Sequence, residues 1–423
     1  MHNENLNWKG LRRTDPDRPR PLADAILRLI WEEQRISRAE IARQASLSRS
    51  TVSEIIGEIL PTGLVAEMGE GPSRGGRRPI VLEFQDEACV ILGVEMSATH
   101  VVVVLTDLRG RVLTWESREH PVRTDPQGTR DLVAELCRSC LGAPSGRDRP
   151  LVGIGVAVPS PVDPAQPDRL SSVVLPEWEE RLGLDALAEQ YGVPLMVDND
   201  ANLGALAEYW WGLGQDTDDI AYIKVATGIG SGHVIGGEIY RGATGVAGEI
   251  GHMAIDPQGE PCICGLRGCL VTLIGGPALV ARTARLGTDF PDSVLAGKEN
   301  TIREIEDAAL AGDPLALQVT REAAIHLGTA IAGVMNLLNP SLVILGGDMA
   351  RLGDLLLDPL RETVKSRTLV SSVAAAEIHV SELGPRVVAV GAATLVLKAA
   401  LEDSRLFPRL GAPAGSSRGN ADK

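Results

Sequence analysis

The stretch from Gly248 to Cys269, GEIGHMAIDPQGEPCICGLRGC, gathers His252, Cys262, Cys264 and Cys269 in one glycine-rich loop. One imidazole and three thiolates closing on a short segment form the ligand set of a four-coordinate structural zinc, and the glycines let the backbone turn sharply enough to aim them. Such a loop is expected to need its metal in order to fold. Three of the six cysteines fall within eight residues, whereas a disulfide framework would be scattered and would belong to a small secreted domain. The other three read differently. Cys137 and Cys140 sit at helical spacing in LVAELCRSCL, so they and Cys89 are expected to be packed in a core.

At 423 residues and 44% apolar content the chain can build two or three cores. The N-terminus lacks the apolar segment of a secretory signal, and no uninterrupted apolar run approaches the length of a bilayer span. A cytoplasmic location, with reduced thiols, no membrane insertion and association with the nucleoid, is the expectation. The net charge of −15 argues against a nucleic-acid partner, but the average hides an asymmetry. Residues 1–85 carry 13 Lys and Arg against 12 Asp and Glu, so the remaining 28 against 44 place a charge of −16 on the C-terminal part.

The first part reads as a helical DNA-binding unit over residues 22–86, behind a polar, Pro- and Arg-rich arm at 1–21. Ile26, Leu29 and Ile30 recur at helical spacing, and Trp31 extends that face. Ser37 and Glu40 form a capping box ahead of a short second helix with Ile41, Ala42 and Ala45. After a break at 45–47, Ser48 caps a third helix that aligns Val52, Ile55, Ile56, Ile59 and Leu60 on one buried face. Arg49, Ser50, Thr51 and Ser53 are left near its start, small or basic side chains able to enter a major groove. This is a helix-turn-helix pattern. Two short strands, Leu64 to Met68 and Ile80 to Phe84, flank GEGPSRGGRRP, whose Arg74, Arg77 and Arg78 suit a wing over the DNA backbone or minor groove. A three-helix protein-interaction domain with a solvated basic loop is the competing reading. The basic tip in an acidic chain, and the Ser, Thr and Arg on the third helix, favour DNA.

From about Glu87 the pattern becomes α/β. ILGVEMS, VVVVLTD, LVGIGVAVP, PLMVDND, IAYIKVATG and LVILGGDM are β-rich runs, several separated by helical stretches such as Thr129 to Leu141 and Leu182 to Tyr191. A strand–turn–strand start at Ile91 recurs at Ile220, which points to two lobes of one plan with a cleft between them. Residues 87–200, completed by 388–401, would form the first lobe and 201–387 the second, with the zinc loop; 402–423 reads as a disordered tail.

GVEMSATHVVVVLTDLRGRVL, VDNDAN, ATGIGSGHVIGGEIYRGATGVAGEIGH, the zinc loop and VILGGDM, in this order behind a winged helix, resemble the ROK family of bacterial repressors, open reading frames and sugar kinases. The resemblance runs from Asp24 to about Ala400, with AGEIGH to CICGLRGC its most discriminating part. It implies an actin-like, ribonuclease H-like two-lobed ATPase-type fold. Family members with a winged helix regulate transcription, often of carbohydrate operons; members without one are commonly ATP-dependent sugar kinases. By the resemblance, Asn199 and Asp200 match the pair whose Asp takes the proton of the sugar hydroxyl, and Glu249 and His252 match residues that contact sugar hydroxyls. Asp200 could instead simply cap the following helix.

Several positions depart from the kinase pattern. Val271 replaces a sugar-contacting Glu, and Glu95, Met96, Ser97 and Ala98 stand where kinases have an Asp followed by a Gly-Gly pair for ATP phosphates and Mg²⁺. Pro159, Ser160, Pro161 and Ser172, Val173, Val174 ahead of Trp178 also differ. A second phosphate loop remains in Thr227, Gly228, Gly230 and Gly232, as do the adenosine-side Gly346 and Gly347; these read as inherited architecture, and ATP with Mg²⁺ is expected to fit poorly.

The expectation is thus a sugar-responsive regulator with no catalytic residue. A dimer or tetramer would bind a palindromic operator, and a sugar or sugar derivative would close the cleft, with the zinc loop coupling closure to the heads. Two alternatives stand beside it: a DNA-binding sugar kinase with Asp200 as base, and a regulator controlled by a protein partner such as a sugar-transport component.

Overall fold

Helix caps and buried apolar faces set the N-terminal unit of the computed structural model, which describes residues 21–70, 80–368 and 376–408. Residues 1–20, 409–423 and the wing arginines Arg74, Arg77 and Arg78 lie outside the described residues; of the tail expected at 402–423, Glu402 ends a helix, Ser404–Leu406 form a 3₁₀ turn and Phe407 is buried. Helix α1 (Pro21–Glu33) buries Ile26, Leu29, Ile30 and Trp31. Strand β1 (Arg35–Ser37) leads into α2 (Arg38–Gln44), where the Ser37 hydroxyl accepts the Glu40 amide at 3.2 Å. The expected capping box is only half made, because the Glu40 carboxylate pairs with Arg43. Helix α3 (Arg49–Ile59) is capped by Ser48, which accepts from the Thr51 amide, and buries Val52, Ile55, Ile56 and Ile59. Leu60, expected to continue that face, starts a 3₁₀ turn and is half-buried. Strands β2 (Val65–Glu70) and β3 (Ile80–Phe84) pair antiparallel, and β1 adds to the other edge of β3. β1 was not expected from the sequence, since three residues carry no period.

The first large sheet contains β4 (Val90–Met96), β5 (His100–Thr106) and β6 (Val112–Glu119) as an antiparallel meander. Helix α4 (Pro126–Gly142) then crosses to β7 (Leu151–Val158), and α5 (Asp185–Tyr191) to β8 (Leu195–Asn199), both strands joining in parallel. Helix α4 packs Cys137 and Cys140 into the core with Leu132, Val133 and Leu136, as the helical spacing requires, and Cys89 is equally buried. The second expected helix is shorter than LGLDALAEQY suggests, with Leu182 and Leu184 packed into the core ahead of α5.

Helix α6 (Asp200–Trp211) leads to the second sheet, which opens with β9 (Ile220–Val225), β10 (Ile229–Ile235) and β11 (Glu238–Ile239). Helices α7 (Val271–Ile274), α8 (Gly276–Leu286), α9 (Ile302–Leu310) and α10 (Pro314–Leu338) precede β12 (Leu342–Gly346). Helix α11 (Asp354–Arg367), β13 (Glu377–Val380) and α12 (Val387–Glu402) complete it. The strand orders, β6-β5-β4-β7-β8 and β11-β10-β9-β12-β13, are the same plan used twice.

Helix α12 lies directly on the first sheet. A Cβ at Gly93 or Gly155 would stand 2.0 Å from the Ala389 carbonyl oxygen or 1.8 Å from that of Ala392, so only glycine permits this approach. Among the described residues, Gly384–Glu402 is the one helical segment long and apolar enough on average to cross a bilayer, and Arg386 and Lys398 interrupt its apolar run. Its apolar faces are spent inside the protein, against β4, β7 and α6 and within a core shared with α1 and α3.

Candidate ligand cleft, metal centre and reading head

The two sheets turn equivalent hairpins toward one cleft of about 150 Å³: the β4–β5 turn with Ser97 and Ala98, and the β9–β10 turn with Thr227 and Gly228. Asn199, Asp200, Glu249 and His252, dispersed over 54 positions of the sequence, all line it. Gly230, Val174 and Val271 line it as well. Gly232, Gly346 and Gly347 do not. A Cβ at Gly232 would lie 2.2 Å from the Ala201 carbonyl oxygen, and one at Gly346 would lie 2.0 Å from the Tyr222 hydroxyl. Gly347 has φ +86° and stands against the Val225 carbonyl. Packing alone accounts for these three glycines. Gly228 has open space around it.

The cap of α6 is Asn199, not Asp200. The Asn199 Oδ1 accepts the amides of Ala201 at 2.9 Å and Asn202 at 3.2 Å, while its Nδ2 donates to the Ser160 carbonyl at 3.1 Å. Asp200 is thereby left to face the cleft at the positive end of a helix, where a carboxylate is favoured. Its Oδ2 accepts from Lys224 Nζ at 2.9 Å, and the same ammonium donates to Glu95 Oε1 at 2.8 Å. Burial alone would lower the lysine pKa; Asp200 and Glu95 together outweigh it and raise the value. Lys224 escaped the sequence reading. A lysine inside the apolar strand IAYIKV was the available signal, because a buried cation must have partners.

Glu249 has its carboxyl pushed up to about 7, chiefly by burial and then by the Asp200 charge. Burial lowers the pKa of His252. The loop carrying both is anchored by Arg241, whose Nε and Nη2 reach the buried Asp198 Oδ2 at 2.8 and 2.6 Å. Asn202 donates to the other Asp198 oxygen at 3.0 Å, so β8, α6 and the loop share one carboxylate.

The donor atoms of His252, Cys262, Cys264 and Cys269 lie within 4.8 Å of one another. His252 Nδ1 is 3.4 Å from Cys262 Sγ, and Cys264 Sγ is 3.6 Å from Cys269 Sγ. Edges of roughly 3.5–3.8 Å are what a tetrahedron with bonds of about 2.0–2.3 Å to nitrogen and sulfur requires, so the cluster fits one metal ion.

In the reading head, Arg49, Ser50 and Ser53 are exposed and Thr51 is half-buried, all on the first turns of α3. The head is tied to the body by three tryptophans. Trp31 of α1 has ring centroids 5.4 Å from Trp210 and 6.2 Å from Trp211, the last two residues of α6. Trp31 Nε1 donates to the Leu108 carbonyl at 2.8 Å, Arg109 lies 4.5 Å over its ring, and Trp211 Nε1 donates to Thr394 at 2.7 Å.

A winged helix-turn-helix joined to a duplicated, actin-like body with a polar cleft and a Cys₃His loop defines the class of protein. The chain belongs to the ROK family: residues 91–399 match that family, and residues 25–58 match the winged helix-turn-helix DNA-binding family. The xylose repressor of Bacillus subtilis (strain 168) is 30% identical over 374 residues, 88% of this chain and 94% of its own length. The crystal structure of a ROK family transcriptional regulator, a homologue of the E. coli MLC protein, superimposes with a TM-score of 0.78 at 27% identity, over 92% of this chain and 97% of its own. A ROK family glucokinase from Streptomyces griseus, in complex with glucose and AMPPNP, gives 0.63 at 30% identity over 72% of this chain and 98% of its own.

Proposed function

We propose that the protein is a sugar-responsive DNA-binding transcriptional repressor of carbohydrate-utilisation genes, whose two-lobed body senses a sugar or sugar derivative instead of phosphorylating one. The observation that carries this reading is α6. It begins at Asp200 in the cleft and ends at Trp210 and Trp211 against Trp31 of the reading head. Twelve residues at about 1.5 Å each make a rod of roughly 18 Å. A shift at its first turn therefore reaches the head without crossing a loop, and a ligand that prefers one position of α6 biases the head by that preference.

In this reading Asn199, Asp200, Glu249 and His252 hold neighbouring sugar hydroxyls. Glu249, near half-protonated at neutral pH, can donate or accept, and an apolar ligand would leave these groups unpaired. His252, Cys262, Cys264 and Cys269 would hold a structural zinc, whose coordination bonds would brace the loop. Ligation through Nδ1 leaves the Nε2–H of His252 free to donate. Arg49, Ser50, Thr51 and Ser53, with the wing, contact a palindromic operator as a homo-oligomer, in the cytoplasm at the nucleoid.

The test is operator binding by the zinc-loaded protein across a panel of pentoses, hexoses and amino sugars, for the natural sequence and Trp210→Ala. One sugar should change operator affinity in the former, and the change should shrink in the latter while the sugar still binds. Equal operator affinity with and without every sugar that binds would overturn the sensor. Arg49→Ala should weaken operator binding and reduce its salt slope by about 0.9 for each bound reading head. The kinase reading is favoured by the open Thr227-Gly228 turn and by Asp200 in the cleft; sustained ADP release from Mg-ATP with any sugar of the panel would establish it.

A further inference from the structure

Glu95 and Lys224 hold the same place in the duplicated plan, each the next-to-last residue of the first strand of its sheet. They meet across the cleft. Lys224 is 8% exposed and Glu95 3%, and the ammonium sits 2.8 Å from Glu95 Oε1 and 2.9 Å from Asp200 Oδ2. Two carboxylate oxygens of the first lobe that converge on one central point, beside the open glycine turn of the second, are hard ligands of the type that hold a divalent cation with nucleotide phosphates. Here a tethered single charge fills that point. Asp200 Oδ1 is also taken, by the Ala201 amide at 2.8 Å, so both oxygens of this carboxylate already accept a hydrogen bond.

We propose that Lys224 is a built-in replacement for a divalent cation, a specificity-determining residue that closes the cleft to metal–nucleotide while leaving its sugar-facing groups in place. The inference rests on the sensor reading above. Because the ammonium bridges the lobes, it does without ATP the joining work of a phosphate-bound metal. Three consequences follow from charge alone. The lobes are held at a fixed separation by an internal ion pair. A free divalent cation meets a site already neutralised by half. Asp200 Oδ2 is engaged as an acceptor of the lysine N–H.

The experiment uses the full-length, zinc-saturated protein with Mn²⁺ as probe, read by the loss of free Mn²⁺ signal in electron paramagnetic resonance and by thermal melting. The natural protein and Lys224→Arg should neither sequester Mn²⁺ at the cleft nor gain melting temperature from it. Lys224→Ser should do both, and adding Glu95→Gln to it should abolish the gain. If Lys224→Ser folds only with Mn²⁺ present, that rescue is itself the predicted result. If it does not fold at all, Lys224→Gln, which keeps a neutral donor of similar length, decides by the same two readouts. Equal Mn²⁺ uptake at the cleft by the natural protein, or a folded neutral variant that takes up none, would overturn the assignment. Calorimetry of the natural protein with the sugar panel runs in parallel and tests the sensor reading alone. Absence of sugar binding there would sink that reading, and the manganese comparison would still decide on Lys224.

Discussion

The two five-stranded sheets share one strand order, yet the hairpins they turn toward the cleft have diverged in opposite directions. The first carries side chains at Ser97 and Ala98 where a phosphate would need bare backbone, and an acid at Glu95. The second keeps Gly228 in open space and has a base at Lys224. The lobes differ as much in what holds them together. The first is knit by strands and by α4 with its buried thiols, whereas the cleft wall of the second, from Tyr240 to Leu270, contains no helix longer than a 3₁₀ turn. Duplication thus supplied two equivalent positions. The sensor arises where their side chains have become complementary to each other instead of jointly to a nucleotide.

The largest effect should come from removing the metal proposed for the Cys₃His cluster of the second lobe. Chelation should make Cys262, Cys264 and Cys269 reactive to alkylation within the folded protein and abolish any sugar response, since a wall without helices or strands loses its fixed geometry. Cys89, Cys137 and Cys140 should stay unmodified until global unfolding: burial pushes Cys89 and Cys140 up to about 12, raises Cys137 as well, and leaves almost no thiolate. Mass spectrometry of the alkylated protein separates the two groups. Reaction of all six together would erase the contrast between the lobes.

Next in size is the ion pair across the cleft. Lys224→Met should cost about 3–5 kcal/mol in denaturant unfolding, because it strands the buried Glu95 carboxylate and the half-buried Asp200 carboxylate. Glu95→Gln added to it should recover part of that loss. Strict additivity of the two substitutions would mean that the lobes do not meet energetically at this pair.

Much of this was legible in the sequence because it is local. Ser48 and the Val52, Ile55, Ile56, Ile59 stripe set α3, and the Cys and His spacing of the metal loop leaves its ligands few other places to go. The resemblance to the family brought Asn199, Asp200, Glu249 and His252 to one cleft before any geometry was known. What stayed hidden is non-local. Nothing around Lys224 announces Glu95, 129 positions away, and nothing in α1 says that Trp31 will stack on the far end of a helix that starts in the cleft. The sequence leaves Asp200 open as the cap of its helix because Asn and Asp are equally good caps; the cap is Asn199, and Asp200 is held by Lys224. Strand β1 and the half-made capping box at Glu40 were lost to a partner strand and to Arg43.

The smallest effects test whether the surviving glycines belong to packing or to a ligand. Gly232→Ala drives a methyl against the Ala201 carbonyl at the first turn of α6 and should cost about 1–3 kcal/mol, blunting any sugar response through the displaced helix. Gly228→Ala has no neighbour within 4 Å, and its φ is not among the positive ones, so its stability should change by no more than about 0.5 kcal/mol. If the turn is inherited and idle, sugar affinity and operator response of Gly228→Ala should also match the natural protein with Mg-ATP absent or present. A nucleotide-dependent response in the natural protein that Gly228→Ala removes would show the second hairpin still at work on phosphate, and the divergence of the two lobes would then be half complete.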